Sequence, residues 1–273
     1  MRTPRRRLAL TATALTLSLL GAACSGGPGS DQATATTAAP APSLPRAATR
    51  CGLPDAEAKS LWFAARDGVQ IDGAMVGSGP AGVVLAHQFQ SDLCGFWPYA
   101  VFLSRHGLRV LDIDLRCNGL ATCPDGEAAD HLGDDVAGAV AELRRQGATS
   151  VALVGASMGG TASLVAGATT QPPVGAVVSL SGPANFQGMD AAGAVTQLSR
   201  PVLYVIARGD TSVTVDEVQS LYRATKASDK RLLLLEQARY GGVHGWDLLT
   251  DDAHDWSPIA EQVADFLERH ASP

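Results

Sequence analysis

Long apolar runs, basic residues and metal-binding patterns are scarce in this chain, and each scarcity excludes a class of function. The longest apolar run, residues 8–20, is too short to span a bilayer comfortably and has no basic stop after it. Only 21 Lys and Arg stand against 27 Asp and Glu, for a formal charge of −6. This acidic balance argues against nucleic-acid partners and against charge-driven binding to anionic lipid. The Cys and His residues lack the spacing of a zinc set, and no metal or organic cofactor is implied.

The first 23 residues have the pattern of a secretory signal peptide: a basic start, an apolar middle and small residues before Cys24. The junction resembles a bacterial lipoprotein signal, in which the cysteine becomes the lipidated first residue of the mature protein. Gly21 stands where such signals usually have a large aliphatic residue, so plain cleavage and secretion remain the alternative. We therefore expect an exported protein, attached to the outer face of the cell membrane only through a lipid at Cys24.

The mature chain is predicted to contain a tether and one domain. Residues 24–50 are mostly Gly, Pro, Ser, Ala and Thr, which cannot bury enough surface to order themselves, so they predict a disordered tether. Residues 51–273 are long enough for a single hydrophobic core. Loss of the four leader arginines lowers the basic count from 21 to 17 and moves the formal charge from −6 to −10.

Four cysteines remain in the predicted domain: Cys51, Cys94, Cys117 and Cys123. An even number in an exported chain suggests two disulfides, for which three pairings exist. Cys117 and Cys123 lie in one loop, so we predict a bond between them and, by elimination, a bond between Cys51 and Cys94.

The order of secondary structure predicts an α/β fold. Residues 61–65 and 69–75 flank an Asp-Gly turn, which is typical of a β-hairpin. Strands and helices then alternate to the end of the chain, which predicts a mostly parallel sheet covered on both faces. In such sheets the functional groups gather at the carboxyl ends of the strands. The segment 181–200 is too short to form a large lid.

The central motif is Gly155-Ala156-Ser157-Met158-Gly159, between a β-branched run and an Ala-rich helical segment at 161–168. A strand, a tight turn and a helix in this order are typical of a nucleophile elbow. The two glycines let strand and helix approach closely, which leaves Ser157 above the sheet edge. The amide of Met158 opens the helix, where unpaired N–H groups favour an oxyanion.

A serine nucleophile needs a base and a carboxylate that orients the base. Asp210 directly follows the predicted strand 201–207, and His244 lies in a glycine-rich loop between the next strand and the last helix. His254, in an acidic loop, is the main competitor for the role of base. Asp112 and Asp114 also end a strand, but they precede the serine.

The Gly-x-Ser-x-Gly motif, followed by Asp210 and His244, resembles the α/β-hydrolase superfamily over residues 60 to 270. The resemblance implies an α/β-hydrolase fold: a mostly parallel eight-stranded sheet with an antiparallel N-terminal hairpin, helices on both faces and a minimal lid. It also implies that Ser157 is the nucleophile, that His244 is the general base and then the acid, and that Asp210 orients His244.

In that superfamily an oxyanion donor follows a His-Gly pair in the loop after the third strand. This chain has His87-Gln88-Phe89 at that point, so the backbone N–H groups of Phe89 and Met158 are the expected oxyanion hole. Gln88 departs from the usual glycine and is itself a candidate donor or substrate contact. His87 is expected to brace the loop.

The resulting interpretation is a serine hydrolase that cleaves small-molecule carboxylic esters through an acyl-enzyme. Two alternatives remain: an amidase or peptidase that uses the same triad, and a binding protein that keeps the fold without the chemistry. Loop aromatics that can form an apolar pocket can equally be core packing. The candidate substrate contacts are Gln88, Trp97, Phe186 and Trp246.

Overall fold

The computed structural model describes residues 47–52, 58–124, 129–251 and 255–271. Its strands are β1 Lys59–Ala64, β2 Gln70–Val76, β3 Ala81–Ala86, β4 Arg109–Ile113, β5 Ser150–Ala156, β6 Val177–Leu180, β7 Asn185–Phe186, β8 Met189–Asp190, β9 Val202–Ala207 and β10 Lys230–Leu235. Its helices are α1 Ala47–Arg50, α2 Trp97–Arg105, α3 Leu132–Arg145, α4 Met158–Thr169, α5 Ala191–Ala194, α6 Val215–Ala224, α7 Gln237–Tyr240 and α8 Pro258–Ala271. Short 3₁₀ turns cover Leu93–Gly95, Ala129–His131 and Gly245–Leu249.

Eight strands form one sheet in the order β1-β2-β4-β3-β5-β6-β9-β10. Strand β2 runs antiparallel to both of its neighbours, and all other pairs are parallel. The β1–β2 turn closes with a 2.8 Å bond from the Ala65 amide to the Val69 carbonyl, and Gly68 takes a φ of +92°. The predicted eight-stranded sheet with its N-terminal hairpin is therefore confirmed.

Helices cover both faces of the sheet because its central strands are apolar on both sides. Strands β3, β6 and β9 are buried at every position. Helices α2 and α8 pack on one face, and α3, α4 and α6 pack on the other, which gives two separate core clusters. This is the burial expected of parallel strands.

Between β6 and β9 the chain forms only the β7–β8 ribbon and the four-residue helix α5. The expectation of a minimal lid is thus met, although the sequence did not predict the ribbon. Among the described residues, no helix combines the length and the apolar character required to cross a bilayer.

The cysteines pair as predicted, Cys51 with Cys94 and Cys117 with Cys123. The predicted boundary between tether and domain needs a correction, because ordered structure starts before residue 51. Arg50, at the end of α1, contacts Asp72 at 2.7 Å and Asp114 at 3.0 Å. Composition could not predict these contacts, since both acids lie far along the chain. The signal peptide, Cys24, the rest of the tether and His254 lie outside the described residues.

Candidate active site

The turn that carries Ser157 has the backbone strain of a nucleophile elbow. Ser157 has φ +47° and ψ −115°, a conformation that costs about 1–3 kcal/mol in a residue other than glycine. Its amide donates a 2.8 Å bond to the carbonyl of Leu180 on β6. A Cβ on Gly155 would collide with the carbonyl of Gly159, and a Cβ on Gly159 would collide with that of Ala86. Both glycines are therefore required for the close approach of β5, α4 and β3.

Helix α4 starts at Met158, as the elbow motif predicts, three residues before the Ala-rich segment 161–168. Its first turn contains Gly159 and Gly160, which have low helix propensity. In the structure both glycines are buried within the helix. Packing against the sheet overrides propensity here and places the serine directly at the helix N-terminus.

Asp210 and His244 meet at the carboxyl edge of the sheet. Nδ1 of His244 lies 2.8 Å from Oδ2 of Asp210, whose side chain is fully buried. Oδ1 of Asp210 accepts bonds of 2.9 Å and 3.0 Å from the amides of Ser212 and Val213. Burial alone would raise the pKa of Asp210, but the hydrogen bonds from His244 and the two amides outweigh it and lower this pKa. The residue is therefore a stable carboxylate.

The loops that carry these two residues touch each other. The amide of Gly242 donates a 3.0 Å bond to the carbonyl of Gly209, and a Cβ on Gly209 would collide with Gly241. With Nδ1 directed at Asp210, Nε2 is the ring nitrogen left for a further partner. His244 and Ser157 line the same cavity, of about 490 Å³, which the two loops help to enclose.

The loop after β3 is fixed by His87. Its Nε2 accepts a 3.0 Å bond from the amide of Leu115, so Nδ1 carries the proton and donates a 2.8 Å bond to the Gln88 carbonyl. His87 is completely buried, and this burial lowers its pKa. The neutral ring braces the loop, as the sequence suggested.

Comparisons with known proteins found a similar family and a shared fold. A profile of the Dienelactone hydrolase family matches residues 122–245, a span that contains Ser157, Asp210 and His244. A search of curated proteins found no match.

Solved structures share the whole fold. An esterase from Pyrococcus furiosus superposes with a TM-score of 0.69 at 18% identity, over 82% of this chain and 94% of that one. An esterase from Exiguobacterium antarcticum superposes with a TM-score of 0.63 at 14% identity, over 77% of this chain and 100% of that one. A thermophilic esterase from Thermogutta terrifontis superposes with a TM-score of 0.62 at 14% identity, over 78% of this chain and 100% of that one. This chain has the α/β-hydrolase fold. Identities of 14–18% show the fold alone.

The residues expected to form the oxyanion hole lie where β3 adjoins the elbow. Ala86 pairs with Gly155 in the sheet, so the loop that carries Phe89 starts beside Ser157. The Met158 amide, at the first position of α4, has no acceptor within the helix. The Phe89 side chain is 50% exposed and packs against Phe186, with ring centroids 5.6 Å apart.

Of the four expected substrate contacts, Gln88 and Phe186 line the Ser157 cavity, and the two tryptophans do not. Trp97, the first residue of α2, is completely buried in the core. Its prediction as a substrate contact is therefore wrong. The Trp246 indole fills the space beside Gly95 and packs edge-on against Phe96 at 5.3 Å. Only the backbone of Trp246 approaches the site, where its amide donates a 3.4 Å bond to Oε1 of Gln88.

Glu217 lines the same cavity, and the sequence analysis did not identify it. Thr214 and Glu217 match a capping-box pattern, which predicts a purely local role for the glutamate. The Thr214 hydroxyl does cap the Glu217 amide, at 3.2 Å. The Glu217 carboxylate, however, accepts a 2.7 Å bond from the amide of Ala184, next to β7.

One group of described side chains has metal-ligand spacing: Asp67, His131 and Asp134. None of the three lines the Ser157 cavity. Asp134 already pairs with Arg66, and Asp67 with Arg116. The group is therefore explained as part of an ion-pair network.

Proposed function

We propose that the protein hydrolyses carboxylic esters through a Ser157–His244–Asp210 triad and an acyl-enzyme. The observation that carries the proposal is the 2.8 Å contact between His244 and the buried carboxylate of Asp210, in the cavity that Ser157 also lines. The matched hydrolase family and the esterase structures support the same reaction class.

In the proposed first half-reaction, Nε2 of His244 takes the proton from Ser157 Oγ as the oxygen attacks the ester carbonyl. Asp210 stabilises the imidazolium that forms and holds its tautomer. The carbonyl oxygen becomes an oxyanion, which accepts hydrogen bonds from the amides of Met158 and Phe89. When the intermediate collapses, the bond to the alcohol oxygen breaks and His244 gives its proton to that oxygen.

In the second half-reaction a water molecule takes the place of the alcohol. His244 removes a proton from the water, which attacks the acyl carbon, and a second oxyanion forms in the same hole. Collapse releases the carboxylic acid and returns the proton to Ser157. The substrate partner is a small-molecule ester, and the cycle uses only side chains and amides of this chain.

The decisive experiment is labelling of the full-length protein with a fluorophosphonate, followed by mapping of the modified peptide. We expect one adduct, on Ser157, together with hydrolysis of nitrophenyl esters and little hydrolysis of the matching nitroanilides. Ser157→Ala should lower turnover by about a million-fold, because nothing else in the chain replaces the nucleophile.

Ser212→Ala is the matched control, since this serine lines the same cavity but contacts Asp210 only through its backbone amide. It should retain labelling. Folded wild-type protein that takes up no label would contradict the proposal and favour a binding protein with this fold. Faster cleavage of anilides than of esters would favour an amidase.

We also propose that the protein is exported and held at the membrane by a lipid on Cys24. Cys24→Ser should move the protein from the membrane fraction into the medium. Unchanged fractionation would leave plain secretion or another attachment as the explanation.

A further inference from the structure

The cavity beside Ser157 carries a negative side chain and no basic one. Among the described residues that line it, none is a lysine or an arginine, and Glu217 is the one ionisable side chain outside the proposed triad. A substrate with a negative group would therefore meet a carboxylate and no compensating cation.

The carboxylate of Glu217 is held in place by the fold. Its Oε1 accepts the 2.7 Å bond from the Ala184 amide, and its backbone is capped by Thr214. Among the described residues, no arginine or lysine forms an ion pair with it. Its charge is therefore fixed in position and not neutralised, which is the arrangement that favours a cationic ligand.

Two aromatic rings complete this side of the cavity. Phe186 lies two residues after Ala184, and its ring packs at 57° to that of Phe89. Half of Phe89 is exposed, so part of its ring surface is free for a ligand. Aromatic faces beside a carboxylate attract ammonium groups, and quaternary ammonium ions in particular.

The position of His244 decides which part of an ester this cavity receives. The leaving oxygen must take its proton from His244, so the alcohol has to lie on the His244 side of the scissile bond. A second cavity, of about 220 Å³, shares Phe89 with the first and includes Met158 and Leu132 in its walls. This smaller cavity is the place for the acyl chain.

Arg116 also lines the smaller cavity, but it offers no free charge to an anionic acyl group. Its side chain is 2% exposed, and its guanidinium contacts Asp67 at 2.8 Å and Asp135 at 2.6 Å. Both of its sides are therefore occupied by carboxylates.

We infer that the substrates are esters whose alcohol part carries an ammonium group, bound by the Glu217 carboxylate and the Phe89 and Phe186 rings. The inference rests on the proposed function and adds the substrate class. It makes Glu217 the residue that determines specificity for the alcohol.

The test compares three butyrate esters with the full-length protein: butyrylcholine, its uncharged isostere 3,3-dimethylbutyl butyrate, and the anionic 2-sulfoethyl butyrate. Released acid is followed by pH-stat titration. We expect kcat/KM for the choline ester to exceed that of the isostere about tenfold, and the anionic ester to be slowest, given a unit charge near a partly buried carboxylate. The preference should shrink at high salt.

Glu217→Gln keeps an oxygen acceptor for the Ala184 amide and removes the charge. It should reduce the ratio of choline ester to isostere to about one. Asp216→Asn is the matched control, because it removes an exposed charge from the same helical turn outside the cavity. It should leave the ratio unchanged.

Binding of choline itself, followed by ligand NMR with Ser157→Ala and Ser157→Ala/Glu217→Gln proteins, separates the two proposals. Cation binding that needs Glu217, without ester hydrolysis by the wild type, would overturn the proposed function and the ester part of this inference, and would leave a cation-binding site at Glu217. Hydrolysis of the isostere with no preference for the choline ester, or a preference that survives Glu217→Gln, would overturn the inference and leave the proposed function standing. The inference would also be overturned if the protein neither bound choline nor preferred the choline ester.

Discussion

The Asp210 carboxylate and the His244 ring, 34 residues apart in sequence, lie 2.8 Å apart, and the other oxygen of Asp210 is bound by two backbone amides. The amides fix the carboxylate before any substrate arrives. Its position fixes the tautomer of His244, with the proton on Nδ1.

Asp210→Asn should keep the fold and lower kcat by about ten-thousand-fold, because the amide can present its NH₂ group and so stabilise the wrong His244 tautomer. Steady-state kinetics with a nitrophenyl ester tests this, with unchanged circular dichroism as the check on folding. Asp216→Asn should have kcat close to wild type. A loss of less than tenfold in Asp210→Asn would mean that His244 does not depend on this carboxylate.

Gly245→Ala should distort the loop that carries His244. Gly245 has φ +62°, and an added Cβ would collide with Oε1 of Gln88. Gly242→Ala is the matched control, since Gly242 has φ +80° but open space around its Cβ position. Both variants should lose about 1–2 kcal/mol of stability to the left-handed backbone, and only Gly245→Ala should also lose kcat/KM.

Adding Gln88→Ala to Gly245→Ala should recover part of that kcat/KM, because the collision is removed while the backbone strain remains. Thermal melts and nitrophenyl ester kinetics measure the two effects separately. Equal kcat/KM in the Gly242 and Gly245 variants would show that Gln88 does not position this loop.

Asp112→Asn should change how stability depends on pH. Asp112 is completely buried and neither carboxylate oxygen has a hydrogen-bond partner among the described residues, so burial and the neighbouring Asp114 raise its pKa well above 3.8. Between the ordinary pKa and this raised one, the folded state keeps the proton and the unfolded state loses it. The stability of the wild type therefore falls with rising pH, by about 1.4 kcal/mol per unit for this group.

Asp112→Asn lacks this slope, so its stability relative to wild type should increase steadily above about pH 4. Urea unfolding at pH 5, 6, 7 and 8 measures the difference. Asp265→Asn, which removes an exposed acid on α8, should give a curve of unfolding free energy against pH that is parallel to that of the wild type. Parallel curves for Asp112→Asn as well would mean that Asp112 ionises normally.

Arg50→Gln should destabilise the domain by about 3 kcal/mol or more at neutral pH, because it leaves buried acids without their counter-ion. Burial and repulsion from Asp114 raise the pKa of Asp72 to about 6 even with Arg50 in contact. The effect should be smaller near pH 4, where Asp72 is protonated. Arg145→Gln, which removes a mostly exposed arginine from its pair with Glu142, should destabilise the domain much less. Equal losses in the two variants would contradict the buried role of Arg50.

Much of the fold could be predicted because its determinants are local. The run from Val151 to Gly155 reads as a strand, and the pair Asp67-Gly68 reads as a hairpin turn, from residue types alone. Whether an aromatic side chain is buried in the core or lines the cavity could not be predicted in this way, because it depends on neighbours from distant segments. Trp97 and Phe186 looked alike in sequence, yet one is core and the other lines the cavity.

Local residue patterns specify the order of strands and helices, the glycines that permit the elbow, and the succession of Ser157, Asp210 and His244. These features follow from backbone conformation and periodicity within short segments. Three other features depend on long-range packing: Glu217 enters the cavity, the Trp246 indole turns away from it, and Arg50 neutralises two buried acids. Such contacts join segments brought together by the packing of the sheet, and no local pattern encodes the direction in which a side chain meets them.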